Sequence, residues 1–188
     1  DAGDLLDPKR PAQLVNDAGQ VDVLIANLAC LAPSTPAEKV DDTEWDDVFA
    51  RLVLPLPRLC RAVLPQMLAR KSGKIIVMGS ASALRGMKRA STYSAARGAQ
   101  LAYVRALGVE VAAHNVQVNA IGPTYFETEL TKPLFEDEER REFITGRTPM
   151  GRWGKAHELA GAVIFLAGGA SDYITGQTLM VDGGWTAW

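Results

Sequence analysis

The stretch KIIVMGSASALRGMKRASTYSAARGAQLAYVRALGVEVAAHNVQVNAIG (74–122) changes its hydrophobic period twice. It opens on an apolar run, KIIVMGS (74–80), that scarcely alternates. It then takes up a helical pattern in YSAARGAQLAYVRALGVEVAAH (93–114), with apolar residues three and four apart, and closes on a second unalternating run, VQVNAIG (116–122). Runs of that kind read as strands buried on both faces, and a strand–helix–strand succession implies a parallel sheet with a right-handed crossover. Outward from this centre the same alternation continues. VDVLIAN (21–27) and TLMVDGG (178–184) read as further strands, and AHELAGAVIFLAGG (156–169) as a further helix. A long helical pattern covers 43–73, opening on Thr43 with Asp46 three residues later, a capping-box-like start. Pro55 and Pro57 are expected to kink it, since each removes a backbone donor. The pattern predicts an α/β fold, a doubly wound parallel sheet, in one domain over 1–188 with neither linker nor repeat.

Composition narrows the function classes. The chain has 188 residues, 47% of them hydrophobic and 22% charged, which suits a globular domain with a substantial core. A net charge of -2, with no basic run or aromatic platform, argues against nucleic acid, and no apolar stretch is long enough to span a bilayer. The expectation is a cytoplasmic protein. Cys30 and Cys60 read as reduced thiols, and His114 and His157, far apart, make no metal-ligand set, so no metal is expected. The charged segment LFEDEERREF (134–143) reads as a solvated helix face, placed as a flap over the site.

In open parallel sheets ligands sit beyond the carboxyl ends of the strands. Those ends nominate Asn27, Leu28, Ala29 and Cys30 after the first run, Ser80 with Ala81 and Ser82 after the second, and Pro123, Thr124, Tyr125 and Phe126 after the third. Tyr93 starts the helix that follows Ser80, and Arg97 lies one turn on, so the two share a face. A free tyrosine, with a pKa of about 10, stays protonated at neutral pH. One meant to take protons therefore needs a neighbouring cation, and about 4 kcal/mol of charge interaction is available at a separation of about 4 Å and an effective dielectric of about 20. Away from any catalytic context, the pair reads simply as a solvated tyrosine stacked on an arginine.

Ser80, twelve intervening residues, Tyr93, three more and a cation resemble the catalytic signature of the short-chain dehydrogenase/reductase superfamily. DVLIANLA, RAVLPQM, SGKIIVMGSAS, VQVNAIGPTYFET and ITGQTLMVDGGW are similar to successive segments of that family, so the resemblance runs the whole chain. It implies a Rossmann-like fold whose first strand, glycine-rich turn and second strand would precede Asp1 and are absent from this sequence. The opening DAGDLLD resembles residues that follow the family's third strand.

Four departures from the family pattern stand out. The family's lysine is Arg97, a group effectively never deprotonated. Its Asn-Asn-Ala-Gly motif is Ala26-Asn27-Leu28-Ala29, its relay asparagine is Leu52, and the glycine after its proline is Thr124. A serine–tyrosine–arginine triad with these changes resembles the halohydrin dehalogenases, a branch of the same superfamily. That resemblance implies a carbon–halide lyase that needs no cofactor. Tyr93 would take the proton of a halohydrin hydroxyl, Ser80 would hydrogen-bond the same oxygen, and Arg97 would favour the phenolate. An epoxide and a halide would form, and azide, cyanide or nitrite would open epoxides in reverse. The resemblance further implies a halide site at Pro123, Thr124, Tyr125 and Phe126, and a substrate pocket at Asn27, Leu28, Cys30, Ser82 and Leu84 with Trp153 nearby. It also implies a homotetramer in which Trp185 and Trp188 cover a neighbouring subunit's site. Two other readings stand beside it: an NAD(P)-dependent short-chain reductase, favoured by Thr128 and the VDGGW end, and a catalytically dead binding subunit.

Overall fold

The computed structural model describes residues 5–188, so the first part of the DAGDLLD segment lies outside the described residues. The order of elements is α1 (Arg10–Ala18), β1 (Val23–Ala26), α2 (Asp42–Leu52), α3 (Pro55–Arg70), β2 (Gly73–Met78), α4 (Ser91–Val111) and β3 (Val116–Pro123). There follow β4 (Phe126–Glu127), α5 (Lys132–Glu136), α6 (Glu138–Arg147), β5 (Gly154–Lys155), α7 (Ala160–Ala167) and β6 (Thr178–Val181).

The expected parallel sheet is present, with strand order β1-β2-β3-β6. Ile75 and Val77 of β2 face one side and pack with Leu52 of α2, Val63 and Met67 of α3, and Leu101 and Val104 of α4. Ile76, one residue out of phase, joins Ile121 and Leu166 of α7 on the other side. Helices therefore cover both faces of the central strands β2 and β3, which is why those two read as continuous apolar runs, while Ile25 of β1 and Leu179 of β6 stay exposed at the edges. Each fully buried Leu or Ile here is worth roughly 2–5 kcal/mol against truncation to alanine.

The long helix expected over 43–73 is two helices. Pro55 opens α3 as its first residue, where its missing N–H is not needed, so the chain breaks instead of kinking. The start of α2 also differs. Asp41 is the cap, its carboxylate accepting from the Glu44 N–H at 2.8 Å, and Thr43 lies inside the helix. The flap segment forms α5 and α6, held at its base by the parallel pair β4 and β5. Among the described residues no helix is long and apolar enough to cross a membrane.

Candidate active site

Ser80 is placed by what precedes it. Gly79 donates to the Ile121 carbonyl at 2.8 Å, and a Cβ there would lie 3.0 Å from the Leu101 side chain and 3.3 Å from that carbonyl, so a larger residue would crowd the end of β2 against α4. Ser80 follows in extended backbone and caps a short turn at Ala81–Ala83, its Oγ accepting from the Ser82 N–H at 3.2 Å and the Ser82 hydroxyl at 3.0 Å. Tyr93 lies in the first turn of α4. That turn is tied to α2 by the buried Thr92, whose hydroxyl donates to Glu44 at 2.8 Å.

Arg97, 5% exposed, lies beneath this surface. Its guanidinium carbon is 5.0 Å from the centroid of the Tyr93 ring. The two hydrogens of Nη1 are shared among the Leu28 carbonyl at 3.1 Å, the Met78 carbonyl at 2.8 Å and the Gln100 side-chain oxygen at 3.0 Å. Gln100 in turn donates to the Leu52 carbonyl at 2.6 Å. The Arg97 Nε is buried with no partner among the described residues.

A cavity of about 100 Å³ opens above these groups. Ser80, Ser82 and Tyr93 form one wall, and Cys30 with Leu31 and Ala32 from the loop after β1 form another. Thr124 and Tyr125 follow β3, Leu130, Thr131 and Leu134 come from the flap, and Trp185 follows β6. Four strands thus deliver their carboxyl-end residues to one place. Asn27, Leu28, Leu84 and Pro123 do not line it. Leu84 points outward at 58% exposure, and Leu28 enters the site through its carbonyl. Trp153 lies behind the wall, its ring 5.4 Å from that of Tyr125.

Thr124 and Tyr125 are shared with an adjoining cavity of about 80 Å³, which Phe126 also lines. Asp182 and Glu158 contribute to that second cavity, so the segment read as a halide site faces carboxylates as well as Arg152. A desolvated anion is poorly served there.

Burial pushes the Tyr125 phenol up, against the lowering charges of Arg140 and Arg147, and burial also raises the Cys30 thiol against the opposing charge of Arg97. Both stay protonated at neutral pH. Among the described residues no cluster of histidine, cysteine and carboxylate could hold a metal.

Sequence reasoning missed Trp185 as a wall of this chain's own cavity. Its signal was the DGG turn before it. Asp182 accepts from the Gly184 N–H at 2.9 Å, the Thr186 N–H at 2.9 Å and the Thr186 hydroxyl at 2.6 Å. Gly183 and Gly184 take φ of 61° and 88°, a turn that swings Trp185 back over the site, 5.5 Å from Tyr125. Trp188 remains exposed. Met87 and the flap residues Leu130, Thr131 and Leu134 carried no local signal, because only the tertiary fold brings them over the strand ends.

The sequence pattern of the family described as Enoyl-(Acyl carrier protein) reductase matches residues 9–186. The chain is a short-chain dehydrogenase/reductase. It is 41% identical over 168 residues to the 5-keto-D-gluconate 5-reductase of Escherichia coli strain K12, covering 89% of this chain and 66% of that relative, so the chain spans just under two thirds of the relative's length. The crystal structure of a gluconate 5-dehydrogenase from Burkholderia cenocepacia J2315 in complex with NADP and tartrate superposes with a TM-score of 0.93 at 32% identity, covering 98% of this chain and 74% of that one. A structure named a dehalogenation enzyme superposes less closely, with a TM-score of 0.87 at 30% identity over 95% of this chain and 74% of that one.

These likenesses overturn the cofactor-free dehalogenation, and the lyase assignment, expected from Arg97. The physical reason lies in the departures themselves. Leu28 and Leu52, two of the departures from the family's cofactor-side motif and proton relay, join Arg97 and Gln100 through main-chain carbonyls, which a side-chain change leaves in place. Arg97 and Gln100 complete the same buried network. This short-chain dehydrogenase/reductase therefore keeps a hydrogen-bonded polar layer under its tyrosine, in which the buried Arg97 Nε lacks a partner among the described residues.

Proposed function

We propose that this protein is an NADP(H)-dependent oxidoreductase that interconverts a ketone and a secondary alcohol on a small polyhydroxy carboxylate. The observation that carries the reading is the opening of Ser80 and Tyr93 onto one cavity at the carboxyl ends of the parallel strands, over the buried Arg97. The names of the relatives, a keto-gluconate reductase and gluconate dehydrogenase, supply the substrate class.

The residues present suit a nicotinamide dinucleotide. Arg97 Nε is a buried donor without a protein partner, next to the Tyr93 ring, and so is available to a ribose oxygen. Asn27, exposed at the end of β1, and Thr128, exposed on the loop after β4, offer further polar contacts. Bound NADP(H) supplies or accepts the hydride. Tyr93 gives a proton to, or takes it from, the substrate oxygen, and Ser80 hydrogen-bonds that oxygen. Leu31, Leu134 and Trp185 keep water away from the reacting carbon. Arg85 and Arg147, with guanidinium carbons 6.0 and 5.8 Å from the Trp185 ring, set positive charge beside the cavity wall, suited to a carboxylate substrate.

Incubating the protein with a keto-sugar acid and NADPH deuterated at the transferable position tests the reading. Deuterium on the new carbinol carbon is expected, and a product without deuterium would exclude direct transfer.

A further inference from the structure

We propose that Ser82 is a positioning residue that commits the Ser80 hydroxyl to donating a hydrogen bond into the cavity. A serine hydroxyl has one donor hydrogen and two acceptor lone pairs. Ser80 Oγ already accepts twice, from the Ser82 N–H at 3.2 Å and from the Ser82 Oγ at 3.0 Å. Its own hydrogen is the one capacity left. Ser82 is 5% exposed, and both serines lie in the cavity wall beside Tyr93. A chain of hydrogen bonds polarises each member, so the Ser82 bond also makes Ser80 a stronger donor.

The consequence is an order for the protons. A ketone oxygen, an acceptor only, is the partner Ser80 is arranged to meet. An alcohol, on the reverse path, cannot give its proton to Ser80 and must turn it toward Tyr93. Cys30 and Tyr125, the other titratable groups of the wall, stay protonated and so do not act as bases for that proton. The selection rests on the Proposed function only in requiring an oxygen substrate in this cavity. It uses a hydroxyl at 82 that the Ser80, Tyr93 and Arg97 signature does not include.

Two readouts test it in the full chain. In steady-state kinetics with NADPH and 5-keto-D-gluconate, Ser82→Ala is expected to lower kcat about tenfold with little change in KM, and Ser82→Thr, which keeps the hydroxyl, to restore it. In a Ser80→Ala background the Ser82→Ala change is expected to have no further effect, since its target oxygen is gone. A merely structural Ser82 would lower activity equally in both backgrounds, and that result would overturn the proposal. The second readout needs no turnover: the infrared carbonyl band of bound, ¹³C-labelled 5-keto-D-gluconate. A downshift in wild type that is lost in Ser82→Ala supports the donation; equal bands in the two proteins, or no downshift in wild type, overturn it. Absent turnover with a normal downshift would reject the oxidoreductase reading and leave the Ser82 arrangement standing.

Discussion

The Arg97 guanidinium stacks on the ring of Tyr93 at 5.0 Å, while its Nη1 bonds run to the carbonyls of Leu28 and Met78. Arginine here joins the ends of β1 and β2 to α4, behind the Tyr93 wall of the cavity. Removing it strands buried acceptors. Arg97→Met is expected to lower unfolding stability by about 3 kcal/mol, read from urea midpoints, because each unpaired buried carbonyl costs roughly 1–3 kcal/mol. Arg97→Lys, whose single ammonium cannot reproduce the planar fork, should fall between the two.

Tyr93→Phe is expected to behave oppositely. Its hydroxyl makes no hydrogen bond among the described residues, so the urea midpoint should hold. Loss of the proton-transfer group should lower kcat by about a thousandfold. Stopped-flow NADPH oxidation measures the loss, and quenching of Trp185 and Trp153 emission by NADPH should persist.

Much of this arrangement was legible before the fold. β2 and β3 were visible because they are buried on both faces, and β1 and β6 as short apolar runs although Ile25 and Leu179 are exposed. Ser80 was nominated by a strand end, Tyr93 and Arg97 by one helical turn, and the three together by resemblance to the family signature. The break at Pro55 was misread as a kink, since periodicity alone does not separate a proline inside a helix from one that begins the next. The larger error concerned Leu28 and Leu52. A sequence displays side chains, whereas both residues act through carbonyls, and so substitutions that leave the network whole looked like its loss. Trp185 was assigned to a neighbouring subunit because nothing in the order of residues reveals that the DGG turn folds back.

Acid stability should carry a signature at Glu158. Bidentate bonds from Arg152 at 2.7 and 2.8 Å, with the Lys155 N–H at 2.7 Å, hold its carboxyl down to about 2 from an ordinary 4.5. A depressed carboxylate stabilises the fold above its unfolded value, and that contribution is lost as pH falls from 4.5 toward about 2. Glu158→Gln is expected to flatten this part of the stability–pH curve, measured by thermal unfolding across that range.

Charge beside Trp185 should set selectivity. Arg147→Ala is expected to raise KM for a keto-acid about threefold while leaving a neutral keto-sugar unchanged, with the difference shrinking as salt rises.

The central claim is nicotinamide-dependent reduction in this cavity, and its most direct measurement is the absorbance of NADPH mixed with the full chain and 5-keto-D-gluconate. The account predicts oxidation of one NADPH per ketone consumed, abolished in Tyr93→Phe. Failure to bind or oxidise NADPH with any keto-acid would contradict it.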